Sequence, residues 1–149
     1  MWLTKWDKRF LKLAREVATW SKDPSSQVGC VIAQGKRELA FGYNGFPECI
    51  EDKSEWYKDR DLKLSLVIHA EKNARNKVEK SSDLVGATIY IWPFAPCGEC
   101  AKEIVSWGIT RIVAPKGRKE MELATEHVVN HTKLEYVSYY WCDPRVIDE

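Results

Sequence analysis

Four residues in this 149-residue chain have types and spacing suited to chemistry: His69, Glu71, Cys97 and Cys100. Cys97 and Cys100 follow Pro96, a residue favoured where a helix begins. A thiol there feels the positive end of the helix dipole, which lowers its pKa and favours metal binding. Taken alone, Cys-x-x-Cys also fits a redox pair or an inert buried pair, and a lone His is commonly structural. Together, one His and two Cys make a three-ligand set for zinc with the fourth position open for water, the arrangement of catalytic rather than structural zinc. Glu71 stands only two residues from His69, so the two do not share a helix flank. Side chains of a first turn lean back toward the N-terminus. Both can therefore converge beyond the helix end, His69 on the metal and Glu71 beside the water as a proton acceptor.

That geometry requires two helices, starting near residues 69 and 97, to face one point. Apolar residues at Leu3, Trp6, Phe10, Leu13, Val17 and Trp20 predict an amphipathic helix over 3–21. Val28 to Ala33 and Leu39 to Tyr43 read as a hairpin, and Asn44-Gly45-Phe46-Pro47 as a turn. The polar stretch from Glu48 to Lys63 has room for a short helix but reads mainly as a long loop. Helices are expected over 69–80, 98–107 and 118–130, with strands over 86–92, 111–114 and 134–137. The order predicts one α/β domain over 1–149 with a mixed sheet, an antiparallel pair followed by parallel crossovers.

Composition narrows the function classes. The hydrophobic content of 44% supports a sizeable core, and the net charge of +1 comes with no basic tail. A nucleic-acid backbone is generally held by a basic stripe, so no nucleic-acid partner is expected. No apolar run reaches the ~20 residues of a membrane helix, and the N-terminus lacks a signal-peptide core. These features point to a cytoplasmic protein without a membrane partner. The odd set Cys30, Cys49, Cys97, Cys100 and Cys142 argues against a disulfide framework.

His69-x-Glu71 followed by Pro96-Cys97-x-x-Cys100 is the pattern of zinc-dependent nucleobase deaminases. With Ser21-Lys22-Asp23-Pro24-Ser25-Ser26-Gln27-Val28-Gly29 and Gly42-Tyr43-Asn44-Gly45-Phe46-Pro47, the chain resembles the deoxycytidylate (dCMP) deaminase branch of the cytidine deaminase superfamily, viral members included, over roughly residues 10–115. The resemblance implies a three-layer α/β/α fold on a five-stranded mixed sheet. It implies hydrolytic deamination of dCMP to dUMP and ammonia, with zinc held by His69, Cys97 and Cys100 while Glu71 moves protons; Arg75 and the basic residues of 51–63 leave dCTP open as a second substrate. Asn44 would bind the sugar, Ala70 and Pro96 would frame the base, and Lys22 would meet the phosphate.

The same resemblance implies a homo-hexamer with dCTP and dTTP as effectors, magnesium on the triphosphate, and Gly42, Tyr43, Gly45 and Phe46 near the effector site. Some viral relatives hold a second zinc. Cys30 and Cys49 are available here, but the long loop has no His, so one zinc is expected, with Cys30 in the core and Cys142 in the tail. Arg75 departs from the apolar residue common at its position. The aromatic run Tyr136 to Trp141 reads as packing or, more sharply, as base stacking. The rivals are a deaminase of free cytidine or deoxycytidine, one acting on nucleic-acid bases, and a non-enzymatic zinc module, which would leave Glu71 unexplained.

Overall fold

In α1 (Lys5–Ala18), Phe10, Leu11, Ala14 and Val17 recur at helical spacing and are all buried. Thr4 caps the helix: its hydroxyl accepts from the Asp7 N–H, and the Asp7 carboxylate accepts from the Thr4 N–H. This is a computed structural model, which describes residues 3–117 and 119–139. The helix ends at Ala18, earlier than the apolar spacing predicts, because Thr19 caps it and Trp20 is left largely exposed.

Five strands form one sheet: β1 (Gly29–Gln34), β2 (Arg37–Tyr43), β3 (Thr88–Trp92), β4 (Arg111–Pro115) and β5 (Glu135–Tyr139). Their order is β2-β1-β3-β4-β5. β1 runs antiparallel to both β2 and β3, while β3, β4 and β5 are parallel. The central strands are apolar on both faces, as expected of a sheet covered on both sides. Cys30, Ile32, Ile89, Ile91, Ile112 and Ala114 point into one core, and Val31, Ala33, Tyr90, Val113 and Val137 into the other.

The second core lies under α1. The first is covered by α3 (Ala70–Asn76), α4 (Gly98–Ser106) and α5 (Lys119–Asn130), which completes the three-layer α/β/α arrangement. Two glycines set the helix–sheet spacing. A Cβ on Gly29 would stand within 2.5 Å of the Ala18 amide nitrogen in α1, and one on Gly42 within 2.4 Å of the Ala74 amide nitrogen in α3. Gly42, expected near an effector site, thus lets α3 lie directly on β2.

Two further segments differ from the sequence reading. The expected loop 48–63 contains a 3-10 turn, Ser54–Tyr57, and runs into α2 (Arg60–Leu66). Asp59 caps α2 through the Leu62 N–H, and Tyr57 stacks on Phe46 at 4.1 Å. No residue of α2 is buried, so the segment carries no apolar period to read. The helix expected over 69–80 stops at Asn76, where the chain turns to bury Val78 and then Leu84. Cys30 lies in the core as expected, and Cys49 is an exposed free thiol. Cys142, Tyr140 and Trp141 lie outside the described residues.

Candidate active site

The segment leading to His69 is fixed before its helix starts. Gly45 and Ile68 exchange backbone hydrogen bonds of 3.1 and 2.8 Å, which pins the approach to the turn after β2. Asn73 then donates to the Tyr43 carbonyl at 2.8 Å. His69 is the N-cap residue of α3, with an extended backbone, so its ring projects off the helix end. Cys97 occupies the same position on α4 and accepts from the Cys100 N–H. α5 secures the turn before it: the fully buried Thr125 hydroxyl donates to the Pro96 carbonyl at 2.9 Å. Lys72 of α3 and Glu103 of α4 pair at 3.1 Å and tie the two helices together.

The two helix starts meet. His69 Nδ1 lies 3.2 Å from Cys100 Sγ and 3.6 Å from Cys97 Sγ. The three donor atoms all lie within 4.8 Å of one another. Donors bound tetrahedrally to one zinc at its usual Zn–N and Zn–S lengths stand about 3.5–3.8 Å apart. The one-nitrogen, two-sulfur set found here therefore fits that ion in both chemistry and spacing.

Electrostatics separate the four groups. Cys97 shares hydrogen bonds with Cys100 and His69 that bring its thiol down to about 4 despite burial. Cys100, hydrogen-bonded to that thiolate and buried, is raised. His69 is raised, chiefly by its hydrogen bond with Cys97. Glu71 is buried, and burial pushes its carboxyl above the usual range, with its own N–H and the His69 charge only partly offsetting this.

Beside these groups opens a cavity of about 400 Å³, within the range of small-molecule sites. His69, Ala70, Glu71, Phe94, Ala95 and Cys97 line it, and Met121 of α5 adds an apolar wall. Asn44 also lines it. The Asn44 Oδ1 accepts from the Val28 N–H at 2.9 Å, and its Nδ2 donates to the Ser26 carbonyl at 2.8 Å and to Asp23. One Oδ1 lone pair is left, so Asn44 can accept from a ligand hydroxyl.

Other expected residues stand elsewhere. Pro96 is buried, with its carbonyl engaged by Thr125, and its neighbours Ala95 and Cys97 line the cavity instead. Lys22 is exposed, pairs with Asp52 at 3.1 Å, and lines a neighbouring open depression that shares Asp23, Ser25 and Ser26 with the cavity. A lysine flanked by serines looks phosphate-directed in sequence, but its side chain turns away from the cavity to a carboxylate. Tyr43, Gly45 and Phe46 line a small cleft of about 60 Å³ with Lys77. Arg75 donates to the Ser81 hydroxyl at 3.0 Å.

Arg60 and Lys63 fall among the basic residues of 51–63 noted in the sequence, while Asp23 and Thr125 carry no role in that reading. Arg60 and Lys63 reach the cavity from α2, and Asp23 organises the loop beside it. The Asp59 cap ahead of Arg60 is the one local signal of α2. Thr125 has none, because its role exists only once α5 packs on the turn before α4.

Comparison with known proteins agrees with this geometry. Residues 4–116 match the model of the cytidine and deoxycytidylate deaminase zinc-binding region. An uncharacterized deaminase from the luxG 3′ region of Aliivibrio fischeri is 39% identical over 114 residues, 76% of this chain and 75% of that one. Human deoxycytidylate deaminase is 39% identical over 116 residues, 73% of this chain and 64% of its own length. In fold, the dCMP deaminase of cyanophage S-TIM5, solved with dCMP and dUMP, superimposes with a TM-score of 0.68 at 19% identity, covering 88% of this chain and 94% of that one.

Proposed function

Since the chain belongs to the cytidine and deoxycytidylate deaminase family, we propose that it hydrolyses the exocyclic amine of dCMP, giving dUMP and ammonia. The observation that carries this is the convergence of His69, Cys97 and Cys100 on one point beside a cavity that His69, Cys97 and Glu71 line. The deoxycytidylate deaminases among its relatives support the choice of substrate.

His69, Cys97 and Cys100 would hold zinc, which supplies Lewis acidity that makes bound water acidic near neutral pH. Glu71 would accept the proton that the attacking water gives up, pass it to the pyrimidine ring nitrogen, and assist protonation of the departing amine. A buried carboxyl whose pKa is raised suits a group that must both accept and donate. The Ala70 backbone and the Ala95–Cys97 turn frame the base. Phe94 and Met121 give it apolar walls that exclude water, and Asn44 accepts from a sugar hydroxyl through its remaining lone pair.

The reading extends to a homo-oligomer responsive to dCTP and dTTP, with magnesium on the triphosphate, supported by the family resemblance. The cleft at Tyr43, Gly45 and Phe46 is too small in one chain to enclose a nucleotide, so an effector there would need a second subunit to complete its site. Purified protein incubated with dCMP, deoxycytidine, CMP and dCTP, with ammonia measured, tests the activity. Adding dCTP or dTTP as effector, with the oligomeric state measured, tests the extension.

A further inference from the structure

Two cations line the cavity, Arg60 and Lys63, and their surroundings differ. Lys63 is committed. Its Nζ lies 2.8 Å from Asp23 Oδ1, and its side chain is only 15% exposed. Asp23 is buried and also accepts from the N–H groups of Ser25 and Ser26 and from Asn44 Nδ2. Turning Lys63 toward a ligand would leave that buried carboxylate without its cation, a costly loss. Lys22, the other nearby cation, is held by Asp52 in the adjoining depression.

Arg60 is uncommitted. It is exposed at the cavity edge, and its side chain has no ion pair or hydrogen bond to any of the described residues. Its guanidinium offers a planar fork of donors that matches phosphate oxygens two at a time. Ser25 and Ser26 also line the cavity; their N–H groups are spent on Asp23, which leaves their hydroxyls as neutral donors. We propose that Arg60 is the residue by which this cavity selects a nucleoside 5′-monophosphate over the free nucleoside, its guanidinium closing on the phosphate beside the Ser25 and Ser26 hydroxyls. This rests on the deamination reading and adds the determinant of its substrate class. Because Arg60 is exposed, the contact is screened by salt.

The test compares wild type, R60A, R60K and K22A by steady-state kinetics on dCMP at low and high salt, with zinc content measured and with dUMP and deoxyuridine binding compared. R60A should raise KM for dCMP about 10- to 100-fold, the scale of a charge-assisted contact, with the change falling on KM rather than kcat. It should weaken dUMP by the same factor without weakening deoxyuridine, and flatten the salt dependence of KM. R60K should fall between R60A and wild type. An R60A enzyme with wild-type KM would overturn the proposal. So would a KM rise confined to K22A, which would move the phosphate to the adjoining depression, or an R60A enzyme that loses zinc or weakens dUMP and deoxyuridine alike. Wild-type protein that releases no ammonia from dCMP would be a separate result, bringing down the deamination reading itself.

Discussion

His69 Nδ1 and Cys100 Sγ lie 3.2 Å apart although 31 positions separate them in the chain. Neither element end could create that contact alone. It needs α3 seated on Gly42 and α4 held through its leading turn by Thr125. A metal held by these residues would therefore depend on the packed fold, and the account predicts about one zinc per chain by elemental analysis. Chelation should abolish turnover and added zinc should restore it. Full activity in metal-free protein would contradict the ligand assignment.

Gly42→Ala would place a methyl group 2.4 Å from the Ala74 amide nitrogen and 2.9 Å from the Ala70 carbonyl oxygen. Both are backbone atoms that cannot rotate away, so α3 must shift and carry His69 and Glu71 with it. The expected cost is about 1–3 kcal/mol of stability, together with weakened zinc retention. Denaturant unfolding and zinc titration would read the two effects, and a variant with native values for both would remove Gly42 from its spacing role.

Thr125→Val keeps the side chain's shape but removes its donor to the Pro96 carbonyl. The buried acceptor left behind should cost about 1–3 kcal/mol. The turn carrying Cys97 should loosen, seen as faster zinc loss to a chelator, while Thr125→Ser should recover most of both. Equal chelation rates in Thr125→Val and wild type would show that the hydrogen bond does not position the ligand.

What could be read in advance follows from what is local. His69, Glu71, Cys97 and Cys100 stand out because each pair sits within one helix start, and the strand alternation at Cys30 to Ala33 and Ile89 to Ile91 survives in both cores. Arg60 could be noted only as one of the basic residues of 51–63; the helix that brings it to the cavity was hidden because α2 buries nothing and so has no apolar period. The pairing of Lys22 with Asp52 had no signal in the sequence, since nearness to serines says nothing about a partner 30 positions away. Asn44 was legible as a polar turn residue. Its role toward a sugar hydroxyl was expected as well, but not that the amide nitrogen is committed to the loop held by Asp23, which leaves only Oδ1 for a ligand.

Far from the cavity, Arg111 grips Asp7 with two hydrogen bonds of 2.7 and 2.9 Å, and the Tyr90 hydroxyl adds a third at 2.7 Å. Burial alone would raise the Asp7 carboxyl, but these donors and the Thr4 N–H outweigh it and bring the pKa from 3.8 to about 2. A lowered folded-state pKa stabilises the fold above the unfolded value. That contribution is lost as pH falls from about 5 toward 2, and amounts to roughly 2–3 kcal/mol. Asp7→Asn should be less stable than wild type at pH 7, and the gap should narrow as pH falls through that window. A gap that stays constant with pH would contradict the ion-pair account.

The central claim is that Glu71 moves protons for dCMP deamination at a zinc held by its neighbours. It is tested most directly by following dUMP and ammonia released from dCMP by zinc-loaded wild type and Glu71→Gln. Wild type should release both in equal amounts, and Glu71→Gln should retain zinc while losing about 10²- to 10⁴-fold or more in kcat. A zinc-replete Glu71→Gln enzyme with near wild-type turnover, or a wild type inert toward dCMP, would contradict it.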